Sequence, residues 1–322
     1  MAAVSAIIQS YPGAHILLPD DVYHGTRTAL QTVFSQWATF STVDFTDLDA
    51  VAHAAHVARR DVLGDSGTLI GWVETPSNPM VKVVDIPGAV STIKDAGQGT
   101  SLESVLVVTD ATWLTPALCQ PLTLGSDVVL HSTTKYIGGH SDLIGGAVIC
   151  GSTAPGMDCL ERVKQVQGVA GAVASPFDCW LVLRGLRSLA ARMAMHCQNA
   201  THVAEFLQAH PNVQETHYPG LASHPGHALM RDQCGGRGFG GMISFQVEGG
   251  LEDAVRVAGA LDTFRRATSL GGTESLVEHR QSIEPPDSPT PGNLLRLSVG
   301  LEHVEDLKQD LAQALGTGTG LS

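Results

Sequence analysis

The chain has 322 residues, 43% apolar and 16% charged, with 32 acidic residues against 19 Lys and Arg and a formal net charge of −13. That apolar fraction supplies a large core and excludes disorder, while the negative balance argues against a nucleic-acid partner held by its phosphates. No window approaches ~18 uninterrupted apolar residues and no basic segment precedes the apolar start at Met1–Gly13, so neither a membrane span nor a signal peptide is predicted.

The first half alternates short apolar runs with helical patterns. Strands are predicted at Ile16–Pro19, Thr68–Val73, Val105–Thr109, Asp127–His131 and Ala147–Cys150, with helices at Thr26–Trp37, Asp47–Arg60 and Ile86–Ala96. Continuous Val, Ile and Leu runs are expected of parallel strands covered on both faces, so the alternation predicts a mostly parallel sheet flanked by helices. The second half predicts a long helical stretch at Ser175–Leu207, broken at Gly185, then a strand at Met242–Val247. A helix follows with Ala254, Val255, Ala258 and Leu261 on one face, then a strand at Leu294–Val299 and a last helix carrying Val304, Leu307, Leu311 and Leu315. Residues 188–322 therefore read as a smaller α+β domain after a large domain at 1–187, and the Pro-rich stretch Glu284–Pro291 reads as a surface loop.

The six cysteines are scattered and form no CxxC pair, which describes neither a disulfide framework nor a zinc site. Free, buried thiols in a reducing compartment, the cytoplasm, are the expectation, and no metal is expected. His53 and His56 on a predicted helix read as a solvated face, and His217, His224 and His227 as surface residues. The pattern at Gly236, Gly238 and Gly241 satisfies G-x-G-x-x-G but precedes a strand instead of opening a helix, which argues against a dinucleotide site. No P-loop and no G-x-S-x-G elbow occurs.

In parallel sheets the reacting groups sit just past the carboxyl ends of the strands. Four such ends are polar here: Asp20–Thr26, Glu74–Pro79, Asp110–Thr112 and His131–Tyr136. A lone Asp after a strand is usually a helix cap, but together these stretches supply a phenol, carboxylates, an amide, hydroxyls and one lysine. Lys135 lies among small hydroxyl residues before Gly138-Gly139. A desolvated lysine amine loses its proton readily and attacks carbonyl carbons. Ser132 and Thr134 could hold an anion beside it, and Asp110 could pair with a protonated ring nitrogen. These are the parts that pyridoxal 5'-phosphate (PLP) requires of a protein; a surface lysine in a Gly-rich turn is the plainer alternative.

The stretches Glu74–Pro79, Val84–Ile86, Asp110–Pro116 and His131–Asp142 resemble the Cys/Met-metabolism family of PLP enzymes, which includes the cystathionine synthases and lyases, methionine γ-lyase and the O-acylhomoserine sulfhydrylases. The similarity continues in order through Ser175–Met193, Tyr218–Leu221, Phe239–Phe245, Ser269–Leu276 and Leu294–Gly300. The resemblance implies a fold-type I transferase-like architecture and a small sulfur-containing amino acid as substrate. It also implies roles. Lys135 would bond the cofactor aldehyde and act as base. Asp110 would face the pyridine nitrogen, with Thr112 beside it. Tyr23 would stack on the ring and pass protons. Ser132 and Thr134 would bind phosphate, and Asn78 would lie near the cofactor oxygen and the substrate carboxylate. Arg296 would clamp that carboxylate with Ser269 beside it, Glu74 would support the cluster, and Glu278 would sit where γ-lyase-like members often carry an acid. The expected reaction is γ-elimination on a cystathionine-type amino acid, with γ-replacement as the alternative, by a homo-oligomer (dimer or tetramer).

Three departures stand out. His24 replaces a glycine of the family's D-x-Y-G-G-T, and Ala111 replaces the Asn of D-N-T. Met1-Ala2-Ala3 resembles the end of the family's S-G-M-A-A phosphate loop, so an N-terminal truncation with weakened cofactor retention is expected. A catalytically weak paralogue acting as an interaction subunit is the alternative from another class.

Overall fold

The computed structural model describes residues 1–64, 67–96, 104–284 and 290–316. In chain order it contains α1 (Ala2–Ser10), β1 (His15–Pro19), α2 (His24–Gln31), β2 (Thr39–Val43), α3 (Leu48–Val57), β3 (Thr68–Glu74), α4 (Ile86–Ala96), β4 (Ser104–Asp110), α5 (Thr115–Leu118), β5 (Val128–Ser132) and β6 (Gly146–Cys150). There follow α6 (Ala154–Ala170), α7 (Pro176–Leu186), α8 (Leu189–Gln208), β7 (Val213–His217), α9 (His227–Gln233), β8 (Met242–Val247), α10 (Leu251–Ala260), β9 (Arg265–Arg266), β10 (Leu276–His279), β11 (Leu294–Ser298) and α11 (Val304–Leu315). The chain divides into two compact units. The first is Met1–Asn78, Lys82–Thr133 and Ile144–Trp180, and the second is Pro79–Val81, Thr134–Leu143 and Leu181–Ser322.

The first unit is built on a sheet of order β2-β1-β3-β4-β5-β6. All its pairings are parallel except the last, β5 with β6. β1 and β3 are buried at every position, which explains their unbroken apolar character. Ile7 and Ile8 of α1 pack with Ile16, Leu18, Ile70, Trp72, Leu106 and Val108 in one core. α3 opens on Asp47, whose Oδ1 accepts the N–H groups of Asp49 and Ala50 at 3.0 Å each.

The second unit carries a sheet of order β7-β8-β11-β10-β9. It is antiparallel apart from β9 with β10. One core joins Phe245, Leu295 and Leu297 to Ala200 and Val203 of α8, Val257 of α10 and Leu307 and Leu311 of α11.

Several elements differ from the sequence expectation. β2 was not anticipated because Thr39–Val43 lies at a sheet edge, partly exposed and without an apolar run. α1 and α6 were also unannounced, and α6 buries only Gly156 and Cys159. α2 stops at Gln31, before β-branched Thr32 and Val33. The break in the long helical stretch falls after Leu186, leaving Gly185 inside α7. On α10, Ala254 and Ala258 are buried as expected, but Val257 is buried with them and Val255 is exposed. None of the six cysteines is in a disulfide, but Cys179 is exposed and Cys150 half-buried. The Pro-rich stretch lies largely outside the described residues. Among those described, no helix is long and apolar enough to cross a membrane.

Candidate active site

In the first unit, four functional stretches leave the carboxyl ends of neighbouring strands. Tyr23 follows β1 and caps α2, and its backbone N–H donates to both carboxylate oxygens of Glu74 at 3.1 Å. A Cβ at Gly25 would overlap the Tyr23 ring, so a glycine there leaves the ring its place. Glu74 ends β3 and is paired in register with Asp110, which ends β4. Asn78 is buried a few residues beyond Glu74.

Asp110 Oδ1 accepts the Thr112 N–H at 3.0 Å and the Thr112 hydroxyl at 2.6 Å. The same Thr112 Oγ1 accepts the Ser132 N–H at 2.9 Å, so one threonine joins the end of β4 to the end of β5. Burial pushes the Asp110 carboxyl above its usual range, against the opposing pull of Thr112. Nearby His131 is pushed down to about 4 by burial and stays neutral.

In the second unit, Lys135 follows Thr134 in a turn of π-helical type. Its Nζ donates to Ser269 Oγ at 2.9 Å. Desolvation, reinforced by the Arg296 charge and opposed by Glu278, lowers the amine to about 8. Arg296 on β11 and Glu278 on β10 are register partners and form an ion pair, each almost fully buried. Arg296 Nη2 also donates to the Thr268 carbonyl at 3.2 Å and the Ser269 carbonyl at 3.4 Å.

The structure thus brings Asp110, Thr112 and Ser132 together in one unit, with Tyr23 held by Glu74 there. In the other it brings Lys135, Ser269, Arg296 and Glu278 together. Arg280 went unremarked in the sequence, yet it is buried and its Nη1 meets Glu278 Oε2 at 3.1 Å. The signal for it was the two-residue spacing from Glu278, which puts both on one face of extended chain.

A mostly parallel sheet whose strand ends carry these groups, in a chain with a desolvated lysine amine, defines a PLP-dependent enzyme as a class. The Cys/Met metabolism PLP-dependent enzyme family matches residues 1–316. A cystathionine gamma-synthase of Mycobacterium leprae is 45% identical over 314 residues, covering 94% of this chain and 74% of the relative. A cystathionine gamma-lyase of Bacillus subtilis is 40% identical over 326 residues, covering 98% and 80%. Among solved structures, the cystathionine gamma synthase of Xanthomonas oryzae in complex with aminoacrylate and cysteine matches with a TM-score of 0.85 at 36% identity, covering 98% of this chain and 79% of that one. The chain belongs to the Cys/Met metabolism family of PLP-dependent enzymes, and the fold-type I architecture implied by the resemblance is the one found.

Proposed function

We propose that this chain is a carbon–sulfur lyase of trans-sulfuration that carries out γ-elimination on a cystathionine-type amino acid. The observation that carries the reading is the Lys135 amine, lowered to about 8 and hydrogen-bonded to Ser269, in one cluster with Arg296. The donor set suits PLP. It offers an amine that loses its proton readily, for an aldehyde, and a carboxyl raised by burial that a ring N–H⁺ would hold ionised. Hydroxyls follow one strand end. Bound there, PLP supplies an electron-withdrawing ring that stabilises negative charge at the substrate α-carbon.

The residues then divide the work. Asp110, oriented by Thr112, would accept from the ring nitrogen, and Ser132 and Thr134 would hold the phosphate. Neutral Lys135 takes the Cα proton and returns it further along the substrate. The Tyr23 phenol would protonate the departing sulfur and help to hold the cofactor. Arg296 grips the α-carboxylate in a planar two-point contact that a lysine could not reproduce. Glu278 fixes the guanidinium, while Ser269 and Asn78 complete the carboxylate site. Loss of the γ-substituent followed by water gives a 2-oxo acid, ammonia and a thiol.

A second reading, γ-replacement by cysteine, is favoured by the synthase name of the relative at 45% identity. The same residues serve it, with a thiol entering where water does otherwise. Product analysis decides between them: cystathionine alone, and an O-acylhomoserine plus cysteine, are each supplied with PLP. Release of 2-oxo acid and cysteine from the first supports the lyase. Cystathionine from the second supports the synthase, and no product from either refutes both.

We assign cofactor binding chiefly to residues 1–187 and the C-terminal α+β part to 188–322. We further propose a cytoplasmic homo-oligomer, supported by cysteines that form no disulfide and by Phe177, Trp180 and Leu183 of α7, each more than half exposed.

A further inference from the structure

Lysine has a flexible four-carbon stem, so where its amine points depends on how firmly its backbone is held. The residues after Lys135 are held closely. Gly139 N–H donates to the Lys135 carbonyl at 2.7 Å and closes the turn. Gly139 has φ +70°, and a Cβ there would overlap the guanidinium of Arg192. Gly271 has φ +75°, and a Cβ there would lie 2.7 Å from the Tyr136 backbone nitrogen. A Cβ at Gly185 would strike the Ile137 and Gly138 carbonyl oxygens. Three glycines therefore let neighbouring chain approach this turn more closely than any other residue allows.

Arg192, on α8, fills the remaining side. Its Nη1 donates to the Tyr136 carbonyl at 2.6 Å. Its Nη2 donates to the Gly185 carbonyl at 2.8 Å and the Ile137 carbonyl at 3.4 Å. Its Nε donates to Ser188 Oγ at 2.9 Å. Every one of these acceptors is neutral, and among the described residues no carboxylate pairs with it. Arg192 is 6% exposed, and burial pushes its pKa down. A buried cation without an anion is costly. What it obtains in return is a forked grip on the carbonyls of the two residues that follow Lys135.

We propose that Arg192 is a positioning residue for Lys135, acting by clamping the carbonyls of Tyr136 and Ile137 so that the lysine backbone, and hence its amine, is held beside Ser269. The proposal rests on Lys135 being the reactive lysine. It assigns Arg192 no contact with substrate or cofactor.

The test uses the full chain with PLP and the variants Arg192→Met, Arg192→Lys, Gly139→Ala and the Gly139→Ala/Arg192→Lys pair. A misplacement on the scale of an ångström predicts that kcat for 2-oxo acid release falls ~10²-fold in Arg192→Met, with KM near that of the unaltered chain because Arg296 is untouched. Arg192→Lys recovers part of the loss. Gly139→Ala reproduces it by displacing the guanidinium, and the paired variant is no worse than its more damaged member. In cofactor-free protein, the pH dependence of Lys135 acylation, read by mass spectrometry, shifts in the same variants. If Arg192→Met does not fold, Arg192→Lys and Gly139→Ala carry the comparison. A lower melting temperature with unchanged kcat and an unchanged Lys135 acylation profile would overturn the proposal, as would losses that multiply in the paired variant. The acylation profile needs no substrate, so it decides the role of Arg192 even if cystathionine is not turned over.

Discussion

At the scale of single residues, one physical cause acts with opposite signs. Desolvation disfavours charge, so it raises Asp110 and lowers Lys135 and His131. The lysine therefore gives up its proton far more readily than the ordinary value of 10.5 would allow. Its sign is testable. Acylation of Lys135 in cofactor-free protein is expected to rise as pH increases through about 8, where the folded-state amine gives up its proton. A midpoint near that of exposed lysines would contradict this. Lys135→Ala is expected to abolish 2-oxo acid release, a loss of at least ~10³-fold if the amine acts as base, and residual turnover above that level would remove it from the mechanism. Thr112→Val deletes the hydroxyl that donates to Asp110 and accepts from Ser132. Losing these bonds is expected to weaken PLP binding by roughly tenfold, about 1.4 kcal/mol, measured by titration of the visible absorbance. The identities of Lys135, Asp110, Tyr23 and Arg296 were legible as motifs. The role of Thr112 as a bridge was not, because the Ser132 it meets is twenty residues away in sequence.

At the scale of elements, what could be read ahead depended on burial. β1, β3 and α4 announced themselves because buried faces demand apolar runs or periodicity. The edge strand β2 and the exposed α6 did not, because their residues answer to solvent more than to a core. Val255 fell on the wrong face for a related reason: Val255 and Val257 are equally apolar, and only packing selects between them. The joint between elements with most to lose is Asp127, fully buried ahead of β5. Its carboxylate accepts the Val107 N–H at 3.0 Å, Lys94 Nζ of α4 at 3.0 Å and the Thr153 hydroxyl that caps α6 at 2.9 Å. Asp127→Ala strands a buried N–H and loosens three elements, so chemical denaturation should show a loss of about 3 kcal/mol. A change within the error of the measurement would mean that the strand and helices hold without it.

At the scale of the whole molecule, each unit has its own core, one around a parallel sheet and the other around a mostly antiparallel one. α7 leaves Phe177, Trp180 and Leu183 largely to solvent. The Phe177 and Trp180 rings stack on each other at 5.9 Å, and Leu183 lies one turn on. Patches of this kind mark protein contacts. Light scattering is expected to find a multiple of the 33.8 kDa chain, and Trp180→Glu with Leu183→Glu to shift it toward the single chain. A monomer before substitution would discard the oligomer proposal.

The sequence by itself determined the class of the fold, the family and its cofactor, and it singled out the candidate reacting groups, because parallel strands need continuous apolar runs and the motifs at the strand ends stand in the order of a known family. Only the tertiary structure decided the lowered pKa of Lys135, the bridging by Thr112, the shared charge of Arg280, Glu278 and Arg296, and the grip of Arg192 on the turn beyond the lysine. Each of these depends on desolvation and on contacts between residues far apart in the chain, and neither property is written in local residue order.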